Sequence, residues 1–419
     1  MEEVHRAIEA VYRIEAPRLI AGLVRLVRDV GLAEDLAQDA LAAALQQWSV
    51  SGIPDNPGAW LTTTARNRAL DLLRRRKVVE RKHVEIGRAR REEESAVLDP
   101  ADGMDDDVGD DLLRLIFIAC HPVLSTEARV ALTLRLLGGL STDEIARAFL
   151  VSEPTIAQRI VRAKRTLSEA RVPFELPRGQ ERAARLASVL EVLYLVFNEG
   201  YAATSGEHWT RPALCEEALR LGRVLEALAP GESEVHGLVA LMEIQASRLP
   251  ARTGPGGEPI LLLDQDRGRW DHLLVRRGLA ALARAEALGG ALGTYALQAA
   301  IAACHARARR AEETDWPRIA ALYDALAQMA PSPVVELNRA VAVGMAFGPE
   351  AGLAVADALR SDPMLSAYHL LPSVRGDLLQ KLGRLAEARV EFARAASLTR
   401  NAREQRLLLA RAAACGEGE

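Results

Sequence analysis

The chain has 419 residues, of which 49% are hydrophobic, 26% charged and only 4% aromatic, and its formal net charge is −4. This composition is typical of a globular protein of two to four domains. Because alanine, leucine and arginine dominate, it favours helices over strands. The slightly acidic balance excludes a chain that binds nucleic acid along its whole length, so any basic site must be local.

The four cysteines, Cys120, Cys215, Cys304 and Cys415, lie far apart, and none belongs to a C-x-x-C pair. The sequence therefore predicts neither a disulfide framework nor a zinc knuckle, and we expect no metal and no cofactor. No apolar run approaches the roughly 20 residues that span a bilayer, and the acidic, amphipathic start is unlike a signal peptide. We expect a cytoplasmic protein without membrane contact.

Residues 1–88 are predicted to form a first helical domain. The stretch AEDLAQDALAAALQQW, residues 33–48, has apolar residues at helical spacing, and AWLTTTARNRALDLLRRRK, residues 59–77, continues the pattern. Between them, SVSGIPDNPG contains two prolines and two glycines, which predicts a loop.

The later of these two helices carries a polar face. Asn67 and Asp71 are one turn apart and share that face. Arg74, Arg75 and Arg76 follow, and their charges suit contact with phosphates. An ordinary solvated charge run is the alternative.

An acidic linker is predicted over residues 89–110. Residues 99–111 include seven aspartates with Pro100, Gly103 and Gly109, and their low hydrophobicity disfavours a packed core. About 20 extended residues at roughly 3.3 Å each reach about 65 Å. Such a tether can hold two domains on separate parts of one large partner.

Residues 111–172 are predicted to form a second helical domain with a helix-turn-helix. Ser141 to Glu144 fits a capping box, and Ser152 with Pro154 starts the second helix well. Its apolar stripe consists of Ile156, Ile160, Ala163 and Leu167. Its remaining faces carry the candidate DNA-binding residues Thr155, Gln158, Arg159, Arg162 and Arg165.

By pattern alone, this helix is equally a DNA-recognition helix and part of a basic helical hairpin. Many helix-turn-helix motifs have glycine where Leu150 stands. Because leucine tolerates positive φ poorly, we expect the turn to be built differently here.

Residues 130–167 resemble region four of extracytoplasmic-function sigma factors, which recognises the minus-thirty-five promoter element. The matching positions are Asp143 to Ala146, Ser152, the Thr155-Ile156 pair and the closing RAKR, residues 162–165. Residues 33–48 resemble the region-two helix of the same family, which docks on RNA polymerase. Its matching positions are Asp35, Leu36, Gln38 and Asp39.

Residues 59–77 resemble the region-two helix that engages the minus-ten element, and the loop before them would hold an unstacked base. The resemblance implies two partners, core RNA polymerase and promoter DNA, the latter both as duplex and as an opened strand. The net acidity is compatible with this, because the polymerase supplies most of the grip on DNA.

Residues 178–419 are predicted to be a helical domain of repeat type. Residues 369–401 resemble one tetratricopeptide repeat, and residues 335–359 are a weaker copy. The characteristic small and large positions are Gly376, Leu379, Gly383, Ala388, Phe392 and Ala395. Such arrays bind a peptide or a neighbouring domain, so a protein or peptide regulator is a possible partner.

Two segments of this domain concentrate polar and aromatic residues, Phe197–Tyr201 and Asp264–Asp271. One interpretation is structural packing, with Asp266 and Arg267 pairing locally. The other is a ligand site.

The chain contains no nucleophile elbow, Walker loop or dinucleotide fingerprint, so we expect no enzyme. The fold class is predicted to be all-α, with two small helical sigma domains, a flexible acidic linker and a helical-repeat domain. The function predicted is that of a sigma factor with a built-in regulator. The alternative is a stand-alone helix-turn-helix regulator with a sensing domain, which leaves residues 1–88 unexplained.

Overall fold

The computed structural model describes residues 2–86, 108–289 and 292–416, and helices dominate all three segments. The predicted all-α class is confirmed. The chain divides into two compact units, which meet between Val192 and Leu193. The predicted linker lies outside the described residues except for its last three positions, which belong to a helix.

The first unit starts with three long helices: α1 (Glu2–Val27), α2 (Val30–Ser51) and α3 (Pro57–Ile86). Helix α1 packs against both of the others. The Oδ1 of Asp29 accepts a hydrogen bond from the Leu32 N–H at 2.8 Å and caps α2. Trp48 is buried and meets Trp60 edge to face at 5.1 Å, which fixes the predicted loop between α2 and α3.

The same unit continues with α4 (Val108–Ala119), α5 (Thr126–Leu136), α6 (Thr142–Phe149), α7 (Glu153–Glu169) and the first turns of α8 (Gly179–Tyr201). Those turns pack on α4 and α5. The Ser188 hydroxyl donates to the Cys120 carbonyl at 2.6 Å, and Arg129 pairs with Glu191 at 3.0 Å. The helix-turn-helix domain is thus closed by the start of α8.

The second unit contains the end of α8, five short 3-10 helices and ten further α-helices among its described residues: α9 (Pro212–Leu228), α10 (Ser233–Ala246), α11 (His272–Ala287), α12 (Thr294–Arg307), α13 (Trp316–Met329), α14 (Pro333–Phe347), α15 (Pro349–Ala358), α16 (Leu370–Lys381), α17 (Leu385–Leu398) and α18 (Ala402–Ala414). Most helices pack against their neighbour in sequence. Small residues permit close crossings: a Cβ on Gly237 would lie 2.6 Å from the Ala296 nitrogen.

The ends of this unit are joined by a two-residue parallel pairing. Strand β1 (Ser205–Gly206) pairs with β2 (Arg400–Asn401). The buried Asn401 amide donates to the carbonyls of Ala203 at 3.0 Å and His208 at 2.9 Å. The loop after α8 is therefore tied to the start of α18.

Helices α16 and α17 form the hairpin that resembles a tetratricopeptide repeat. A Cβ on Gly376 would lie 2.7 Å from the Phe392 ring, so only glycine permits this approach. Gly383 occupies the turn with φ +73°, a conformation that favours glycine. Leu379, Ala388 and Ala395 are buried in the same cluster as Phe392. Membership of that repeat family stays a prediction.

Candidate nucleic-acid interface

Helix α6 begins with the predicted capping box. The Ser141 hydroxyl accepts a hydrogen bond from the Glu144 N–H at 3.1 Å, and the Glu144 carboxylate accepts one from the Ser141 N–H at 2.8 Å. Two N–H groups at the start of the helix, which no helical carbonyl can reach, are thereby satisfied.

The turn after α6 corrects one expectation. Leu150 adopts the left-handed conformation, with φ 52° and ψ 41°, so the turn is not built differently from the glycine form. The Val151 N–H donates to the Ala146 carbonyl at 3.1 Å and closes the helix end. The leucine retains the local strain of this conformation, and its side chain is 54% exposed.

Helix α7 presents its predicted apolar stripe inwards, since Ile156, Ile160, Ala163 and Leu167 are all buried. Ser152 stands at the N-cap position, but its side chain makes no capping hydrogen bond. Its hydroxyl lies 2.7 Å from the Thr155 hydroxyl instead. Ser152 therefore occupies the predicted N-cap position, but its side chain does not cap the helix.

The outer face of α7 carries the candidate DNA-binding side chains. Thr155, Gln158, Arg162 and Arg165 are exposed, and Arg159 is half-buried. Arg165 pairs with Glu169 at 3.1 Å on the surface, a contact that contributes little and breaks easily. The face can donate hydrogen bonds to base edges and phosphates without disturbing the core.

Helix α3 places its polar residues on the surface. Asn67 and Asp71 are both exposed, as are Arg74, Arg75 and Arg76. Arg74 lies 3.4 Å from the Asp71 carboxylate in an exposed pair, so its charge stays available to a backbone phosphate.

The four candidate polymerase-binding residues of α2 differ in their exposure to solvent. Asp35 and Asp39 are exposed, whereas Leu36 is only 4% exposed and belongs to the core. Gln38 is half-buried, and its amide donates to Glu34 at 2.7 Å. In this form Asp35 and Asp39 offer the accessible charges, and Leu36 positions the helix.

The structure adds a residue that the sequence analysis did not single out, Glu34. It is 3% exposed, and its carboxylate lies 2.6 Å from the Arg135 Nε and 2.5 Å from the Lys164 Nζ. Burial raises the pKa of Glu34, but Lys164 and Arg135 outweigh it and hold the pKa below its ordinary value of 4.5. One carboxylate thus joins α2 to α5 and α7. The sequence feature that could have revealed Glu34 is its position on the apolar face of an amphipathic helix, beside the buried Ala33, Leu36 and Ala37.

Three family descriptions match this chain. Residues 11–78 match sigma-70 region 2, and residues 114–167 match sigma-70 region 4. Residues 185–286 match a family of unknown function, DUF6596. The ECF RNA polymerase sigma factor SigL of Mycobacterium tuberculosis is 31% identical over 161 residues, which are 38% of this chain and 86% of the relative. The chain belongs to the ECF sigma factor family.

Two further relatives match a larger share of this chain than SigL does. The probable ECF RNA polymerase sigma factor SigI of Mycobacterium tuberculosis is 26% identical over 269 residues, 54% of this chain and 87% of the relative. An uncharacterized protein of Rhizobium meliloti is 44% identical over 389 residues, 93% of this chain and 91% of the relative. No solved structure matches the chain.

Metal and membrane features were searched in the described parts of the chain. No group of three His, Cys, Asp or Glu side chains there is arranged to hold a metal ion. None of the helices there is both long and apolar enough to cross a bilayer.

Proposed function

We propose that this sigma factor docks on core RNA polymerase through Asp35, Asp39 and Gln38 of α2. In the same proposal α3 recognises the minus-ten element through Asn67 and Asp71, with its three arginines on phosphates. Helix α7 recognises the minus-thirty-five element. The observation that carries the proposal is the joint exposure of these polar faces on the two segments that match sigma-70 regions.

The packing within the first unit bears on how promoter recognition proceeds. Helices of region two and region four touch, α1 against α4 and α2 against α7. The two promoter elements are named for positions about 25 base pairs apart, which is about 85 Å of duplex at roughly 3.4 Å a step. Two domains in contact cannot lie on both, so the proposal requires that they separate on the polymerase. The predicted linker is long enough to permit this.

The second unit is proposed to regulate or support the sigma activity, either by itself or through a protein or peptide bound to it. Cytoplasmic localisation is part of the same proposal, since core polymerase and promoter DNA are its partners.

Run-off transcription with core polymerase tests the proposal. The full chain is compared with a chain that ends at Val192, because the first turns of α8 are needed to cover Cys120 and to pair with Arg129. Promoter-specific transcripts from the full chain that require added core enzyme support it. Equal activity of both chains contradicts the regulatory role of the second unit.

The alternative function, a stand-alone helix-turn-helix regulator, predicts specific binding to promoter DNA without polymerase. A mobility-shift assay with the protein alone distinguishes the two. Specific binding there, together with transcription that does not respond to the protein, contradicts the sigma role proposed here.

A further inference from the structure

An arginine that lacks a carboxylate partner lies inside the second unit. Arg248 follows α10 and is only 7% exposed. Its guanidinium carbon is 5.6 Å from the centre of the Tyr201 ring and 5.8 Å from that of Trp270. Among the residues that the structure describes, it has no ion pair with a carboxylate.

A second arginine lies beside it. Arg252 stacks on Tyr201 with its guanidinium carbon 3.8 Å from the ring centre, and it lies 5.5 Å from that of Trp209. It donates to the Tyr201 carbonyl at 3.1 Å. Burial lowers the pKa of Arg248, and the adjacent charge of Arg252 adds to that effect while the Tyr201 phenol opposes it. Two like charges are thus held together in an aromatic surrounding.

The other buried arginines of the described residues have carboxylate, hydroxyl or carbonyl partners, although most keep one buried guanidinium nitrogen without an acceptor. Arg129 pairs with Glu191 at 3.0 Å, and Arg375 pairs with Glu391 at 3.1 Å. Arg267, close to the cluster, donates to the His305 and Ala308 carbonyls and to the Thr314 hydroxyl. A buried charge is costly unless it is paired. Among the described residues, the Arg248 side chain has neither a carboxylate nor a carbonyl partner, so it is the buried arginine whose charge is least compensated.

The cluster also has more donors than acceptors. Four of its buried N–H groups meet no acceptor among the described residues: the Nε of Arg248, the Nε of Arg252 and the Nε1 of both Trp209 and Trp270. None of these residues, nor Tyr201 beside them, has a buried side-chain acceptor without a partner, so the unsatisfied groups of the cluster are all donors. An excess of donors and of positive charge is the chemistry that receives an oxyanion.

We propose that Arg248 and Arg252 hold a small organic anion through its carboxylate or phosphate group, between the rings of Tyr201, Trp209 and Trp270. Tyr201, Trp209 and Arg252 are half-buried and so reach the surface in part, while Arg248 is buried. All five residues lie within residues 185–286, so the proposal gives that segment a ligand class. It is independent of polymerase and promoter binding.

Thermal unfolding of the full chain tests the site, with sodium phosphate and sodium acetate as separate probes against sodium chloride at equal ionic strength. In the wild type, one of the two oxyanions is expected to raise the Tm by about 3–5 °C once it exceeds its Kd tenfold. The probe that gives the larger rise in Tm shows whether the site prefers a phosphate or a carboxylate group. Arg248→Met is expected to abolish the rise, and Arg277→Met, an exposed arginine of α11, to keep it.

Phosphate also stabilises proteins in general by exclusion from their surface. The site is therefore tested by the difference in Tm rise between the wild type and Arg248→Met. An equal rise in wild type and Arg248→Met overturns the proposal, as does no rise with either probe. Trp209→Phe gives a second, milder variant that keeps the ring and removes one donor. It is expected to weaken the Kd about 10-fold, and an unchanged Kd also counts against the site.

Discussion

Lys164 of the basic helix α7 lies 2.5 Å from the carboxylate of Glu34 in α2, a side chain that is 3% exposed. The helix proposed to meet the minus-thirty-five element is thereby held against the helix proposed to meet the polymerase. Arg135 of α5 completes the contact at 2.6 Å. Glu34 is immediately followed by Asp35, so the buried contact and the proposed polymerase contact lie on the same turn of α2.

Replacing Glu34 by Gln is expected to loosen the contact between the two regions. The change leaves two cations facing each other without a buried counter-charge, and loss of one partner of a buried pair costs about 3–5 kcal/mol. Small-angle scattering of the full chain should show a larger radius of gyration. Asp35→Asn is the matched control, because it alters an exposed neighbour. It is expected to leave the compactness unchanged and to weaken binding to core polymerase. Equal compactness of wild type and Glu34→Gln would show that the pair does not hold the regions together.

The same pair predicts an acid-sensitive contact. The pKa of Glu34 is lowered in the folded chain, so its contribution is fully present above about 4.5 and is lost as the pH falls below that value. The radius of gyration of the wild type is expected to rise as the pH falls below 4.5, before the helices melt by circular dichroism. Glu34→Gln should be expanded over the whole pH range. A wild type that stays compact until it unfolds argues against this assignment.

His305 gives the second unit a different pH dependence. Burial, with the charges of Arg248 and Arg267, lowers the pKa of His305 from 6.5 to about 3. Between pH 6.5 and pH 3 this histidine is therefore protonated in the unfolded chain but neutral in the folded chain. The free energy of unfolding decreases by about 1.4 kcal/mol for each unit by which the pH falls in this range. Urea unfolding at pH 7.5 and pH 5.5 measures this. His305→Gln should flatten the slope, whereas the exposed His272→Gln should not.

The Leu150 turn allows a direct test of backbone strain. A left-handed residue other than glycine costs about 1–2 kcal/mol, and the side chain of Leu150 is 54% exposed, so its removal sacrifices little packing. Leu150→Gly is expected to match or exceed the wild type by up to about 1 kcal/mol in urea unfolding. Leu150→Val, which is β-branched, should destabilise the domain. A glycine variant less stable than the valine variant would refute the strain argument.

Local rules were sufficient for much of the fold. The capping box at Ser141, the apolar stripe of α7 and the break between α2 and α3 all depend on residues within one or two turns, and the sequence displays them directly. The expectation for Leu150 was wrong because the chain adopts the left-handed turn despite the local strain of a residue with a Cβ. The local pair expected for Asp266 and Arg267 was also wrong: Asp266 accepts from the Gly268 N–H, and Arg267 turns into the core.

Contacts between distant positions could not be predicted in the same way. Glu34 contacts Arg135, which is 101 positions away. Which of the many arginines would pair with it depends on how the helices of the first unit pack, and the local sequence does not show this. The pairing of Ser205 with Arg400 follows from the path of many successive helices. The buried position of Arg248 likewise depends on Tyr201 and Trp270, which come from different elements.

Arg162 provides the last prediction, on the exposed face of α7. If it contacts a promoter phosphate, Arg162→Gln removes one released counter-ion, so the slope of log affinity against log salt should decrease by about 0.9. If it contacts a guanine edge, the loss should be about 1–3 kcal/mol and should depend on the base at one position of the minus-thirty-five element. Run-off transcription with core polymerase over a salt series and a set of promoter variants separates these outcomes. Arg178→Gln, the same charge change on an exposed residue after α7, is the control and should leave both the slope and the sequence preference unchanged. If Arg162→Gln behaves like Arg178→Gln in every promoter, α7 does not recognise DNA through this face.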